Sequence, residues 1–104
     1  MIKGVPEWYG RLKFRSGATY EGGFRGGEFN GFGQYSKDGK YEYVGGYNDG
    51  KKEGLGREVT TDDKGVSEDY VGGWKDDRRH GEGLRNGKEW VRYYLGTQLQ
   101  VISY

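Results

Sequence analysis

Apolar and polar positions alternate from Tyr20 onward: Tyr20, Gly22 and Phe24 fall on one side, and Glu21, Gly23 and Arg25 on the other. A period of two predicts a strand with Tyr20 and Phe24 on one face. Gly26, Gly27 and Glu28 supply a turn, and Asn30 to Ser36, with Phe32 apolar, predict the return strand. Ser36, Lys37, Asp38 and Gly39 form a second turn, because Asp-Gly favours positive φ. The predicted unit is a β-hairpin followed by a turn into the next hairpin.

The unit recurs. Tyr20, Gly22, Gly23 and Phe24 return as Tyr43, Gly45, Gly46 and Tyr47, then as Tyr70, Gly72, Gly73 and Trp74. Each set closes on a glycine pair: Gly31 and Gly33, Gly54 and Gly56, Gly81 and Gly83. A further glycine, Gly27 or Gly50, lies seven residues after the tyrosine in the first two copies, where the third has Asp77. The starts are 23 and 27 residues apart, the signature of a repeat protein. The predicted organisation is one domain over residues 1–104, with a half repeat at 9–19, repeats at 20–42, 43–69 and 70–89, and capping strands at 90–104. In the half repeat Gly10 stands where Gly33, Gly56 and Gly83 stand, with Tyr9, Leu12 and Phe14 apolar. The four extra residues of the longer spacing fall in an enlarged loop between Thr60 and Asp69. Trp90 opens as if a fourth repeat began there, but Arg92 and Tyr93 take the glycine places. Trp90 to Leu95 therefore predict a capping strand, and Gln98 to Tyr104 a last strand or an edge for self-association.

Glycine inside a strand costs roughly 0.5–1 kcal/mol relative to alanine, so several per hairpin require a return. Close approach supplies one: an aromatic ring of one repeat lies over the bare backbone of its neighbour, and burying a Phe-sized side chain returns about 1.5–3 kcal/mol. The expected architecture is all-β: an elongated single twisted antiparallel sheet of consecutive β-hairpins.

The pattern Tyr-x-Gly-x-aromatic-x-x-Gly-x-x-x-Gly-x-Gly resembles the MORN repeat family, over about residues 9 to 90, with Asp77 the one departure among its motif positions. The resemblance implies the same hairpin sheet, with one face curved into an aromatic-lined groove. It also implies a role in scaffolds of cilia, flagella and cytoskeleton, or in phospholipid contact.

Composition narrows the function. Glycine makes up 22 of 104 residues and aromatics 16%, and the regular spacing of the aromatics argues against disorder. The 17 Lys and Arg balance the 16 Asp and Glu, which leaves no electrostatic footprint for nucleic acid. The chain has no cysteine, so disulfides and Cys-based metal sites are excluded. No apolar run approaches a membrane span and no signal-peptide core opens the chain. A soluble cytoplasmic protein, cytoskeletal or membrane-associated, is the expectation.

Candidate chemistry is sparse. Gly45, Gly50 and Lys51 imitate the start of a phosphate loop, but Lys52 replaces the Ser or Thr and no strand-to-helix context follows. His80 is the only histidine and occupies the slot of Asn30 and Glu53, which favours a structural role over catalysis. Asp62, Asp63, Glu68 and Asp69 cluster without calcium-loop spacing and read as a solvated loop. No catalytic, metal or cofactor-binding residue is identified, and an enzymatic role is not expected. The expected function is a non-catalytic protein–protein interaction module gripping a helix or extended peptide. Tyr20, Phe24, Tyr43, Tyr47, Tyr70, Trp74 and Trp90 would bind the partner, with Tyr47 and Trp74 as central anchors. Gly22, Gly31, Gly33, Gly45, Gly54, Gly56, Gly72, Gly81 and Gly83 are structural. The alternatives are binding to acidic phospholipid, through convergence of Arg11, Lys13, Arg15, Arg25, Lys51, Lys52, Arg78 and Arg79, and homodimerisation through Trp90 to Tyr104.

Overall fold

The computed structural model describes residues 5–102; Ser103 and Tyr104, expected to extend the last strand, lie outside them. Nine strands follow in chain order: β1 (Trp8–Lys13), β2 (Thr19–Arg25), β3 (Glu28–Lys37), β4 (Tyr41–Asn48), β5 (Lys51–Thr61), β6 (Ser67–Lys75), β7 (Arg78–Arg85), β8 (Glu89–Tyr94) and β9 (Thr97–Ile102). They form one antiparallel sheet whose spatial order equals the chain order, 42 × 36 × 18 Å in extent. The described residues contain no helix, so the expected all-β sheet of consecutive hairpins is the fold.

Two-residue turns close β2–β3, β4–β5 and β6–β7. Asp77 occupies the glycine-like place with φ 69°, beside Asp76 at 50°. A compensating bond accompanies this departure from the pattern: the Asp77 carboxylate accepts from the Lys52 amide at 2.9 Å, tying repeat three to repeat two. The longer exit of repeat two goes partly into longer strands and partly into a loop held by Asp62, which accepts the amides of Lys64 and Val66, each at 2.9 Å.

The register lines up one glycine per strand. Gly10 pairs with Gly22, Gly22 with Gly33, Gly33 with Gly45, Gly45 with Gly56, Gly56 with Gly72, and Gly72 with Gly83. Tyr20, Tyr43 and Tyr70 lie flat on this row. A Cβ at Gly33, Gly56 or Gly83 would overlap the Tyr20, Tyr43 or Tyr70 ring respectively. Each of these tyrosines covers glycines of its own hairpin and not a neighbour's. The reason is the hydroxyl, which donates to the carbonyl three residues on: Tyr20 to Gly23 at 2.9 Å, Tyr43 to Gly46 at 2.9 Å, Tyr70 to Gly73 at 3.1 Å. Trp74 of repeat three, in contrast, reaches across to repeat two and donates its indole N–H to the Gly56 carbonyl at 3.2 Å.

The C-terminal frame also needs correction. Gly83 pairs with Val91, and Gly81 with Tyr93, as Gly56 pairs with Gly72 and Gly54 with Trp74. Val91 is therefore the equivalent of Gly72, Tyr93 of Trp74, and Glu89 of Tyr70; Trp90 is one residue out of frame. With no tyrosine at position 89 to lie on β8, Val91 carries a side chain where the row otherwise needs none, and that side chain is fully buried.

Candidate interaction surface

One face of the sheet holds the core. Phe24, Tyr20, Tyr47, Tyr43, Trp74, Tyr70 and Tyr93 form a continuous edge-to-face row, with successive centroids 5.2, 5.4, 5.2, 5.3, 5.6 and 5.5 Å apart. Such pairs contribute about 0.5–1.5 kcal/mol each beyond burial. Trp8 closes the row at β1, stacked on Phe24 at 4.3 Å. Six of the rings expected to bind a partner therefore do something else. Tyr20, Phe24, Tyr43, Tyr47, Tyr70 and Trp74 are only 0–6% exposed, their faces and edges taken up by one another and by bare glycine backbone. Trp90 is 41% exposed on the opposite face.

A second layer lies on the row. Phe29, Lys52 and Arg79 occupy one equivalent position, opposite Phe24, Tyr47 and Trp74. Phe29 stacks on Tyr20 at 3.6 Å. The Lys52 ammonium lies 4.7, 5.2 and 4.9 Å from the Tyr41, Tyr43 and Trp74 ring centres, and the Arg79 guanidinium 4.4 Å from Tyr70. Between the two cations sits buried Glu58. It accepts from Tyr41 at 2.7 Å and from Arg79 at 2.8 and 3.2 Å, and lies 3.6 Å from Lys52. Arg79 also donates to Glu68 at 3.0 Å and Tyr93 at 2.9 Å. Burial lowers the Lys52 pKa in spite of Glu58. Burial opposes the Arg79 charge too, but hydrogen bonds to Glu58, Tyr93 and Glu68 outweigh it and raise that pKa. Burial pushes Tyr20 and Tyr70 up to about 12, and raises Tyr41, Tyr43 and Tyr47 as well. Glu58 is thus shared between two cations and a phenol.

The other face is uncovered. Tyr9, Phe32 and Leu55 hold the same position in three successive units, on β1, β3 and β5, and are 69%, 62% and 72% exposed. Each stands opposite a bare glycine: Tyr9 opposite Gly23, Phe32 opposite Gly46, Leu55 opposite Gly73. Their common place directly before Gly10, Gly33 and Gly56 was the available sequence signal, but the inward-facing rings dominated the pattern. Beside this row Val71 pairs with Leu84 and Leu84 with Trp90, so the apolar band runs on to β8.

The remaining candidates resolve into structure. His80 accepts the Leu95 amide at Nδ1, 3.1 Å, and supports the β8–β9 turn. Among the described residues no group of three or more His, Asp or Glu is placed to hold a metal ion. Of the basic side chains expected to converge, Lys52 and Arg79 are turned into the core face, and Arg11 pairs with Glu21 at 2.8 Å on the open face, where Arg57 also pairs with Asp69 at 2.7 Å.

An open single-layer sheet of tyrosine–glycine hairpins defines a repeat module. Residues 20–41, 43–63 and 70–88 match the MORN repeat, together more than half of the chain, and the protein belongs to the MORN repeat family. No curated protein matches the chain.

Proposed function

We propose that this chain is a non-catalytic protein-interaction module whose contact surface is the open face of the sheet, centred on Tyr9, Phe32 and Leu55. The observation that carries this reading is the exposure of three large apolar side chains at one equivalent position in successive units. Exposed apolar patches of this kind mark interaction sites. The occupant is a protein surface with apolar side chains. An anionic lipid surface is the weaker reading, because lipid recognition wants clustered Lys and Arg and the 17 Lys and Arg here are balanced by 16 Asp and Glu. The partner does not contact Tyr47 and Trp74, whose surface is spent on packing.

The test is affinity capture with two baits, the wild-type chain and Phe32→Asp/Leu55→Asp, the latter checked for folding by circular dichroism. A captured protein, purified, is expected to bind the wild type directly and to bind the variant at least about tenfold more weakly, a loss of about 1.4 kcal/mol. Equal affinity for both baits rules out this face. Salt-sensitive sedimentation with phosphatidylserine vesicles that the variant retains would favour the lipid reading.

A further inference from the structure

The open face is complementary to itself. Along the row, strand by strand from β1 to β6, the chain presents Tyr9, Gly23, Phe32, Gly46, Leu55 and Gly73, a large side chain alternating with none. Strands lie about 4.8 Å apart, so large side chains recur every two strands, at about 9.6 Å, with a bare strand between. A two-fold axis halfway between two facing sheets, parallel to the strands and midway between β3 and β4, brings β1 over β6 of a second copy, β2 over β5 and β3 over β4. Phe32 then lies on Gly46 of the second copy and Tyr9 on its Gly73, while Leu55 comes over Gly23, which is already buried beside Pro6.

The charges on the same face obey the same operation. Register places Arg11, Glu21, Gln34, Val44, Arg57 and Val71 at one level of β1 to β6. The rotation sets Glu21 against Arg57 of the second copy, Gln34 against Val44, and Arg11 against Val71. One level further along the strands, Lys13 on β1 meets Asp69 on β6. Opposite charges meet at both levels, each pair occurs twice by symmetry, and no like charges are opposed. A sheet of 42 × 36 Å offers more than the roughly 800 Å² per partner that a specific interface covers.

We infer that the occupant of the open face is a second copy of this chain, stacked face to face through an antiparallel two-fold axis between β3 and β4. This rests on the proposed reading of the face as an interaction surface and names its partner. The contact is isologous, so it closes at two copies and does not propagate into a filament. Two sheets stacked in this way meet at about 10 Å.

Sedimentation equilibrium over a concentration series tests the inference. The wild type is expected to approach twice the 11.8 kDa chain mass, and Phe32→Asp/Leu55→Asp to remain at the single mass with an unchanged circular dichroism spectrum. Charge reversal tests the register. Glu21→Arg and Arg57→Glu, each alone, set like charges against one another and weaken association at least about tenfold, some 1.4 kcal/mol. Mixed in equal amounts, the two variants restore both opposite-charge pairs and recover the dimer. A wild type that stays monomeric up to about 1 mM, an association free energy weaker than about 4 kcal/mol, overturns the inference. A dimer indifferent to Phe32 and Leu55, as pairing along the β9 edge would give, also overturns it. So does a mixture of charge variants that fails to recover. A monomeric chain that still binds a captured protein through Phe32 and Leu55 leaves the interaction face standing and rejects only the second copy as its occupant.

Discussion

Repeat one and repeats two and three fill the same slot with opposite chemistry. Phe29 stacks on Tyr20 at 3.6 Å, where Lys52 lies over Tyr43 at 5.2 Å and Arg79 over Tyr70 at 4.4 Å. The row below is the same in all three, so the slot demands something that sits on a tyrosine face, and a ring or a cation satisfies it. The cations bring an obligation that Phe29 does not. A buried charge needs a partner, and Glu58 supplies it where repeat one has Tyr35. The aromatic slot is self-sufficient, and the charged slots are a mutually dependent set.

Alkali should break both halves together and give the largest effect. The folded pKa values of Tyr20, Tyr41, Tyr43, Tyr47 and Tyr70 are raised above their ordinary value, to about 12 for Tyr20 and Tyr70. Their stabilising contribution is intact below the unfolded value of about 10 and lost as pH rises through the folded value. Lys52, with its pKa lowered, works the other way: its burial penalty is relieved as it discharges, which offsets part of the loss. A spectrophotometric titration near 295 nm should show a cooperative step between about pH 10 and 12 that coincides with loss of sheet signal. Smooth ionisation of all ten tyrosines near pH 10 would contradict the buried row.

Glu58→Ala comes next. It leaves two buried cations short of their carboxylate and should cost about 3–5 kcal/mol, read as a lower urea midpoint. A cost under about 1 kcal/mol would mean that the charged half is as self-sufficient as the aromatic half. Phe29→Lys transplants the obligation into repeat one and should cost about 2–3 kcal/mol. Adding Tyr35→Glu should recover about 1 kcal/mol as a coupling energy in the double-mutant cycle, and a purely additive cycle would refute the equivalence of the slots. The smallest effect is expected from Lys52→Met, which keeps the stem and removes a desolvated charge while Arg79 still holds Glu58. Stability should change by less than about 1 kcal/mol, in the favourable direction if at all.

Much of the fold was legible because hairpins are local. Period-two alternation and the Asp-Gly turn chemistry set strands and connections from Tyr20 to Leu84 without long-range information. What the pattern did not contain was direction. A tyrosine recurring with glycines is equally periodic whether it lines a groove or lies on its own backbone, and only the hydroxyl reaching the Gly23, Gly46 and Gly73 carbonyls decides between them. The shared slot was hidden for a different reason: Phe29, Lys52 and Arg79 have nothing in common as residue types, so a search for recurring identities passes over a recurring position. At the C-terminus the glycine signal lapses: Trp90 reads as the opening aromatic of a fourth repeat, but Glu89 holds that place and Tyr93 holds the place of Trp74.

Because spatial order equals chain order, β1 and β9 lie at opposite margins of the sheet. Tension applied across these margins acts along the inter-strand hydrogen bonds, which run perpendicular to the strands. Such a load opens the bonds of one strand at a time and never shears a whole ladder at once. The molecule is therefore built to pay out under pull hairpin by hairpin, with the glycine row and its rings as the successive catches.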